Sequence, residues 1–393
     1  MSKKLDPVTQ AIRIQSPQTS QHEHSTPLYL TSSFTFDEAE TMRAAFADES
    51  QDNIYSRFSN PNVDEFIAKM CALEGAEAGF ATSTGMSAIF SSMFALLKQG
   101  DHLICCSSVF GSTFTIVTKY LPKYGITATL VPVGDNAAWE AAVQPNTKMV
   151  YLETPTNPQL EVIDLEWVGQ FSKNHNLVLN VDNCFATPLL QRPIDFGADL
   201  VVHSATKWID GQGRVLGGII VGRKDLVKDI YLFCRNTGPA MSPFNAWILS
   251  KSLETLDVRM QRHSENALQI AEKLQSNPHV AWVKYPLLPN HPQYDIAKKQ
   301  MKMGGGVFCL EIKGGLEAGR KFLDALELLS VTANLGDTRS IASHPASTTH
   351  SRLTDEQRLS VGITPGLIRI STGLEKLEDI LADIEQALEK SAK

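Results

Sequence analysis

Apolar residues recur along this chain with two alternating periods. Short runs of β-branched and aliphatic residues, HLICCSS, ITATLVPV, KMVYLET, LVLNVDN, DLVVHS and GGIIVG, read as buried strands. Between them, Phe114 to Tyr124, Asn136 to Val143 and Leu165 to Asn174 carry helical spacing. A short strand at Ala78 to Phe80 leads into a small-residue turn, Thr82 to Gly85, and then an apolar helix to Gln99. Strands alternating with helices predict an α/β fold, a mainly parallel sheet with helices on both faces.

The two ends of the chain read differently. Residues 1 to 60 are rich in Ser, Thr, Gln and His, with little helical periodicity before Asp37 to Ala47. The segment carries too many aromatics for a plain disordered tail, and an arm packing on another subunit explains it. It ends in YSRFSNPN, where Asn60 caps and Pro61 opens an amphipathic helix that stops at Gly75. After Asn245 a long helical run spans the boundary placed near Thr255. Beyond it come a strand (GGGVFCLEI), a helix from Leu316 to Leu328, a loop from Asn334 to His350, a strand (LIRISTG) and a helix from Glu375 to Lys390. The expected division is an arm over 1–60, an α/β domain over 61–255 and a smaller C-terminal α+β domain over 256–393.

Composition narrows the function. The chain has 393 residues, 43% hydrophobic and 20% charged, with a net charge of −7. No basic run suits nucleic acid or an anionic membrane, and no apolar run reaches the length of a membrane span. The six cysteines show no CxxC and no disulfide framework, so no metal is expected. A polar N-terminus without an apolar segment argues against a signal peptide, and a reducing cytoplasm is the expected location.

Candidate chemistry lies at strand ends, where α/β sheets bind ligands. The stretch DLVVHSATKWIDGQGRVLGG runs from a buried strand into Ser204, Thr206 and Lys207. A lysine there is either a solvated residue closing the strand or, if buried, a neutral amine able to attack a carbonyl. Beside the phosphate-binding hydroxyls of Ser204 and Thr206, such an amine suits a Schiff base with pyridoxal phosphate (PLP). Main-chain N–H groups of Gly85 and Met86 at a helix start form an anion site or merely a tight turn. Asp182 can pair with a pyridine nitrogen, Phe110 can stack on the ring, and Tyr55 and Arg57 can clamp a phosphate. Arg369, inside the apolar strand LIRIS, requires an anion, either a substrate carboxylate or an internal salt bridge. Polar groups at Phe110 to Ser112, Glu153 to Asn157, Asp182 and Asn183, and Ser204 to Lys207 converge on one sheet edge.

These motifs resemble a known family. YSRFSNPN, STGMSAI, ETPTNP, VDNCFATP, HSATKWIDGQG, LGDTRSIASHPASTTHS and LIRISTGLE look like the signatures of the PLP-dependent enzymes of cysteine and methionine metabolism. That family includes cystathionine synthases and lyases, methionine γ-lyase and homoserine-ester sulfhydrylases. The turn GQGRVLGG and the segment NTGPAMSPFNAW look most like the sulfhydrylases that use O-succinylhomoserine.

The resemblance implies a fold of the aspartate-aminotransferase type. In it Lys207 holds PLP and shuttles protons, and Asp182 pairs with the ring nitrogen. Gly85, Met86, Ser204 and Thr206 bind the phosphate, with Tyr55 and Arg57 supplied by the neighbouring subunit of a dimer. Asn157, Ser340 and Arg369 hold the substrate carboxylate, Asn157 lying also near the cofactor's ring oxygen. The implied assembly is a homotetramer of two such dimers, and the implied reactants are a small amino acid and sulfide.

Two positions depart from the family pattern. Phe110 stands where tyrosine is usual, which keeps the stack and removes a phenol. Cys184 stands in place of threonine and reads as a small buried thiol. Arg214, in the GQGR turn, is the expected partner of a succinyl carboxylate, against a plain surface arginine. The activity expected is exchange of a homoserine ester's acyloxy group for sulfide. Cystathionine γ-synthesis, sulfhydrylation of the acetyl ester and γ-elimination from cystathionine or methionine are the alternatives, and a non-catalytic binding protein the rival of another class.

Overall fold

A computed structural model describes residues 5–348, 351, 354–360 and 362–392 of the chain. Seven strands form the larger sheet: β1 (Ala78–Thr82), β2 (His102–Cys106), β3 (Thr127–Val131), β4 (Thr147–Glu153), β5 (Val178–Asp182), β6 (Leu200–Ser204) and β7 (Gly218–Gly222). Their spatial order is β1-β7-β6-β5-β4-β2-β3. Neighbours from β3 through β6 are parallel, and β7 alone runs antiparallel to both its partners. The expected mainly parallel α/β sheet is therefore present. The carboxyl ends of β1, β2, β4, β5 and β6 all reach the same edge.

A second, smaller sheet follows: β8 (Val280–Lys284), β9 (Val307–Ile312), β10 (Ser330–Val331), β11 (Ile341–Ser343) and β12 (Leu367–Ser371), ordered β10-β11-β12-β9-β8. Its core of Phe308, Leu310, Ile368, Ile370 and Ile384 is separate from that of the larger sheet. The two parts meet at the turn after β6. Gly336, at φ 77°, passes so close that a Cβ would sit 2.6 Å from the Trp208 nitrogen, and a Cβ on Gly306 would strike the Trp208 ring at 2.4 Å. Thr338 N–H also donates to the Gly211 carbonyl at 2.9 Å. This contact places β12 and its Arg369 beside Lys207.

Several local expectations are corrected. Residues 1–60 contain a helix, Pro7–Arg13, whose first turn is capped by Asp6 accepting from Val8 N–H at 2.8 Å. The helix expected from Phe114 is irregular: Gly111–Thr115 is α, Ile116–Tyr120 a π turn and Leu121–Tyr124 a 3-10 turn. Pro122 has no N–H for an i−4 bond, so the regular ladder cannot continue. The long run after Asn245 is two helices, Pro243–Leu253 and Leu256–Leu274; the first and the start of the second pack on the core of the larger sheet, while Ala267, Ile270, Ala271 and Leu274 pack on the second core. Arg259 takes up the Ser252 carbonyl at the break, at 2.9 Å. The helix Lys224–Thr237 and strand β8 fall in stretches with no sequence expectation. Of the loop Asn334 to His350, Thr349 and His350 lie outside the described residues.

Candidate active site

Four strand ends build the candidate site. After β6 the chain turns through Ser204–Lys207, and the Lys207 side chain points back into the molecule. Its amine donates to the Asn334 side-chain oxygen. Burial pulls its pKa below the usual lysine value; Cys184 opposes that shift and the Arg369 charge adds to it. Lys207 is thus half-buried and hydrogen-bonded rather than a fully solvated residue closing the strand.

Asp182 ends β5. Its Oδ1 accepts from Cys184 N–H at 3.0 Å and its Oδ2 from the Tyr151 hydroxyl at 3.4 Å. It is buried without an ion-pair partner among the described residues, since neighbouring His203 is held by Glu74 at 2.6 Å. Burial raises the Asp182 pKa to about 6, against the opposing effects of the Cys184 N–H, His203 and Tyr151. Such a carboxylate suits a cationic ring nitrogen.

The helix Gly85–Phe94 starts opposite Ser204. Thr84 caps it by accepting from Ser87 N–H at 3.0 Å, and the N–H groups of Gly85 and Met86 have no partner among the described residues. A Cβ on Gly85 would lie 2.6 Å from the Ser204 Cβ, so only glycine lets the helix start approach this closely. The Ser204 hydroxyl has no described hydrogen bond and stands beside that N-terminus. Thr206 differs from expectation: its hydroxyl is engaged with Gly217, donating to the carbonyl at 3.3 Å and accepting from the N–H at 3.1 Å.

Arg369 on β12 lies between Cys309 and Ser343 in register. Its Nη1 donates to Asn157 Oδ1 at 2.9 Å, and its Nη2 to the carbonyls of Ala333 and Asn334 at 3.2 and 3.0 Å. Only 7% of it is exposed, its Nε has no partner, and no carboxylate pairs with it. The internal salt bridge weighed above is absent among the described residues. A buried, under-satisfied guanidinium calls for an anion.

Phe110 follows β2, and its main-chain N–H donates to Glu153 Oε2 at 2.8 Å. The residue is 43% exposed. Tyr55 and Arg57 stand apart. Tyr55 bridges Ser33 and packs its ring 5.9 Å from Phe58, while Arg57 donates to the Arg235 carbonyl and lies 4.8 Å from the Phe58 ring centre. Neither has a described contact with Lys207, Asp182 or the start of the Gly85–Phe94 helix.

Two expectations fail on geometry. Ser340 is fully buried with its hydroxyl donating to Glu375 Oε2 at 2.9 Å and accepting from Gly373 N–H at 2.8 Å, so it is spent within its own turn. Arg214 is bound to Asp210, Nε to Oδ1 at 3.0 Å, and also donates to the Ser252 hydroxyl. Its charge is thus already paired with a carboxylate of its own turn rather than held free for a succinyl group. Asn334 was missed by sequence reading: it links Lys207 through its side chain and Arg369 through its carbonyl. The loop alone gave no signal for it, because the link joins residues 127 apart in sequence. Cys184 has its thiol on the Ser204 carbonyl at 3.7 Å and its pKa pushed well up by burial, so it is no nucleophile.

The residues at this edge fit PLP. There is an anion cradle at a helix start, an amine, a buried carboxylate without a cation, and a second anion site at Arg369. No helix among the described residues is long and apolar enough to cross a membrane, and no cluster that could hold a metal is found among them.

Comparison with known proteins agrees with this geometry. The family model described as Cys/Met metabolism PLP-dependent enzyme matches residues 8–389. An O-succinylhomoserine sulfhydrylase of Pseudomonas aeruginosa is 46% identical over 97% of this chain and 94% of its own. An L-methionine gamma-lyase of Porphyromonas gingivalis is 44% identical over 93% of this chain and 92% of its own. A Campylobacter jejuni crystal structure carrying N'-pyridoxyl-lysine-5'-monophosphate superposes with a TM-score of 0.94, at 33% identity, over 98% of this chain and 100% of the other.

Proposed function

The chain belongs to the Cys/Met metabolism PLP-dependent enzyme family, and from that premise we propose that it is an O-succinylhomoserine sulfhydrylase. It would replace the succinyloxy group at Cγ with sulfide, giving homocysteine and succinate. The C–O bond breaks, a C–S bond forms and no electrons are gained or lost overall.

The observation that carries an amino-acid substrate is Arg369, buried beside Lys207 with an unpaired Nε and no acidic partner. Arg369 and Asn157 would bind the α-carboxylate and so set the Cα–H toward the Lys207 amine. When bound, the cofactor supplies the electron sink that makes Cα–H acidic. Lys207 would hold its aldehyde at rest; freed from it, the amine would take the Cα proton and then take up and return a proton at Cβ. Burial lowers that amine's pKa and so favours the neutral form that accepts a proton. Asn334 is the group that receives the amine when it is not bonded to the cofactor. Asp182 would hold the ring nitrogen protonated, while Gly85, Met86 and Ser204 would anchor the phosphate. Thr206 would join them only by turning its hydroxyl from Gly217. Phe110 would cover the ring without a phenol, which leaves proton traffic to Lys207 and to Tyr55 of a neighbouring subunit.

On the same reading residues 1–60 are an arm that brings Tyr55 and Arg57 to the phosphate of a second subunit. Residues 61–255 then hold the cofactor, and 256–393 close over the substrate. The assembly proposed is a dimer of such dimers in the cytoplasm. The 46% identity to a sulfhydrylase favours this activity; the 44% identity to a lyase supports a second reading, γ-elimination from methionine.

Steady-state assays separate them. O-succinylhomoserine with sulfide is expected to yield homocysteine and succinate, faster than with cysteine as nucleophile and faster than with the acetyl ester. Equal or faster turnover with cysteine, or release of methanethiol from methionine at a comparable rate, would overturn the assignment.

A further inference from the structure

Two carboxyl groups share the active edge of the larger sheet, and only Asp182 has a part in the reaction above. Glu153 and Asp182 are direct partners in the parallel register of β4 and β5. Their side chains therefore leave the same face of the sheet, on strands about 5 Å apart. Both are buried, at 4% and 7% exposure. Neither has a cationic partner among the described residues; His203 is held by Glu74. Two full negative charges this close, away from water, are not held together, so one proton stays on the pair.

Hydrogen bonding distinguishes the two. Asp182 accepts from the Cys184 N–H and the Tyr151 hydroxyl, and the neighbouring His203 favours its charge. Among the described residues Glu153 has neither hydroxyl nor imidazole to favour its charge; its partners are main-chain N–H groups alone, Phe110 at 2.8 Å and that of Asn157. A neutral carboxyl makes such bonds through its carbonyl oxygen while the other oxygen keeps a proton. Burial, reinforced by the Asp182 charge, also lifts the Glu153 pKa well above the usual range, against about 6 for Asp182. The remaining ionisable groups facing the pair are Tyr151 and Cys105, both kept neutral by burial, then Cys184, likewise neutral, and Lys207.

We propose that Glu153 is a positioning residue that works as a protonated acid. It clamps the main chain of Phe110 at the start of its helix, and its neutrality leaves the single negative charge of the pair on Asp182. Loss of that proton would set two negative charges side by side at the ends of β4 and β5. The inference rests on the reading that Asp182 receives the cofactor's ring nitrogen.

The test uses full-length protein, Glu153→Gln and Glu153→Ala, without substrate. Cofactor affinity is measured by titrating cofactor-free protein across pH. An amide keeps the acceptor and carries no charge, so Glu153→Gln is expected to bind within about threefold of the unaltered protein, with the same pH midpoint. Glu153→Ala loses the clamp and is expected to weaken binding by about tenfold or more. Infrared spectroscopy is expected to show a protonated-acid carbonyl band that Glu153→Gln lacks. A Gln variant weakened by about tenfold, or shifted by about one pH unit, shows that the charge is needed and overturns the proposal. Absence of the acid band, or an Ala variant of unchanged affinity, overturns it too. If Glu153→Ala does not fold, the Gln variant and the infrared band decide. A protein that binds cofactor in this way but does not turn over homoserine esters would refute the reaction assigned above and leave this inference standing.

Discussion

The carboxyl edge of the larger sheet and the segment Tyr55–Arg57 carry the same expectation, contact with the cofactor, yet the fold treats them in opposite ways. At the edge, register fixes each group. Asp182 lies opposite Glu153 and Val202, and β6 delivers Ser204 to within contact of the Gly85 helix start. Lys207 is tied to Asn334, and through it to Arg369, so the edge forms one connected set within a single chain. Tyr55 and Arg57, by contrast, sit on an irregular segment, with Tyr55 41% exposed and Arg57 turned to the Arg235 carbonyl. Backbone ladders hold strand ends wherever the rest of the molecule goes, whereas a segment outside the sheet takes the contacts that neighbouring surfaces offer. One chain thus supplies the amine, the carboxylate and the anion sites of the proposed site; in the proposed assembly, closure of its open side, where Phe110 also lies exposed, would fall to the arm of another.

The sharpest way to break this contrast is Lys207→Ala. It is expected to abolish the visible absorbance of the lysine-bound cofactor and to lower turnover by about a thousandfold or more; a visible band that survives unchanged would remove Lys207 from its role. Next in size is Arg369→Ala. Losing a charge-assisted pair to the α-carboxylate is expected to raise KM for the homoserine ester by about ten- to a hundredfold. KM for sulfide should barely move, and an equal rise in both would count against carboxylate binding. The smallest effect probes the arm. Arg57→Ala is expected to weaken cofactor binding by about tenfold, and mixing it with Lys207→Ala should restore part of the activity, because one mixed site would hold both intact residues. No recovery in the mixture would confine Arg57 to its own chain.

Much of the edge was legible because strand patterning and strand-end chemistry coincide there. The run DLVVHS predicts a buried strand, and whatever follows it must emerge at the ligand-binding edge; Lys207, Asp182 and Gly85 follow from that. Where the helical ladder broke without a break in the apolar period, legibility ended. Pro122 and the Glu254–Thr255 break each interrupted a run whose apolar spacing continued, since spacing reports the facing core rather than the hydrogen-bond ladder. Ser340 and Arg214 looked free in sequence because their partners, Glu375 and Asp210, are recognisable only once the turns are formed.

By itself, then, the sequence determined the alternation of strands and helices, the amine after β6, the carboxylate ending β5 and the glycine opening the phosphate-side helix. These are local consequences of periodicity and of what a strand end exposes. Tertiary structure alone decided that Arg214 pairs with Asp210, that Asn334 stands between Lys207 and Arg369, and that Glu153 lies beside Asp182. Those depend on packing the second sheet against Trp208 and on the register of β4 with β5, contacts between residues far apart in the chain whose partners no local pattern encodes.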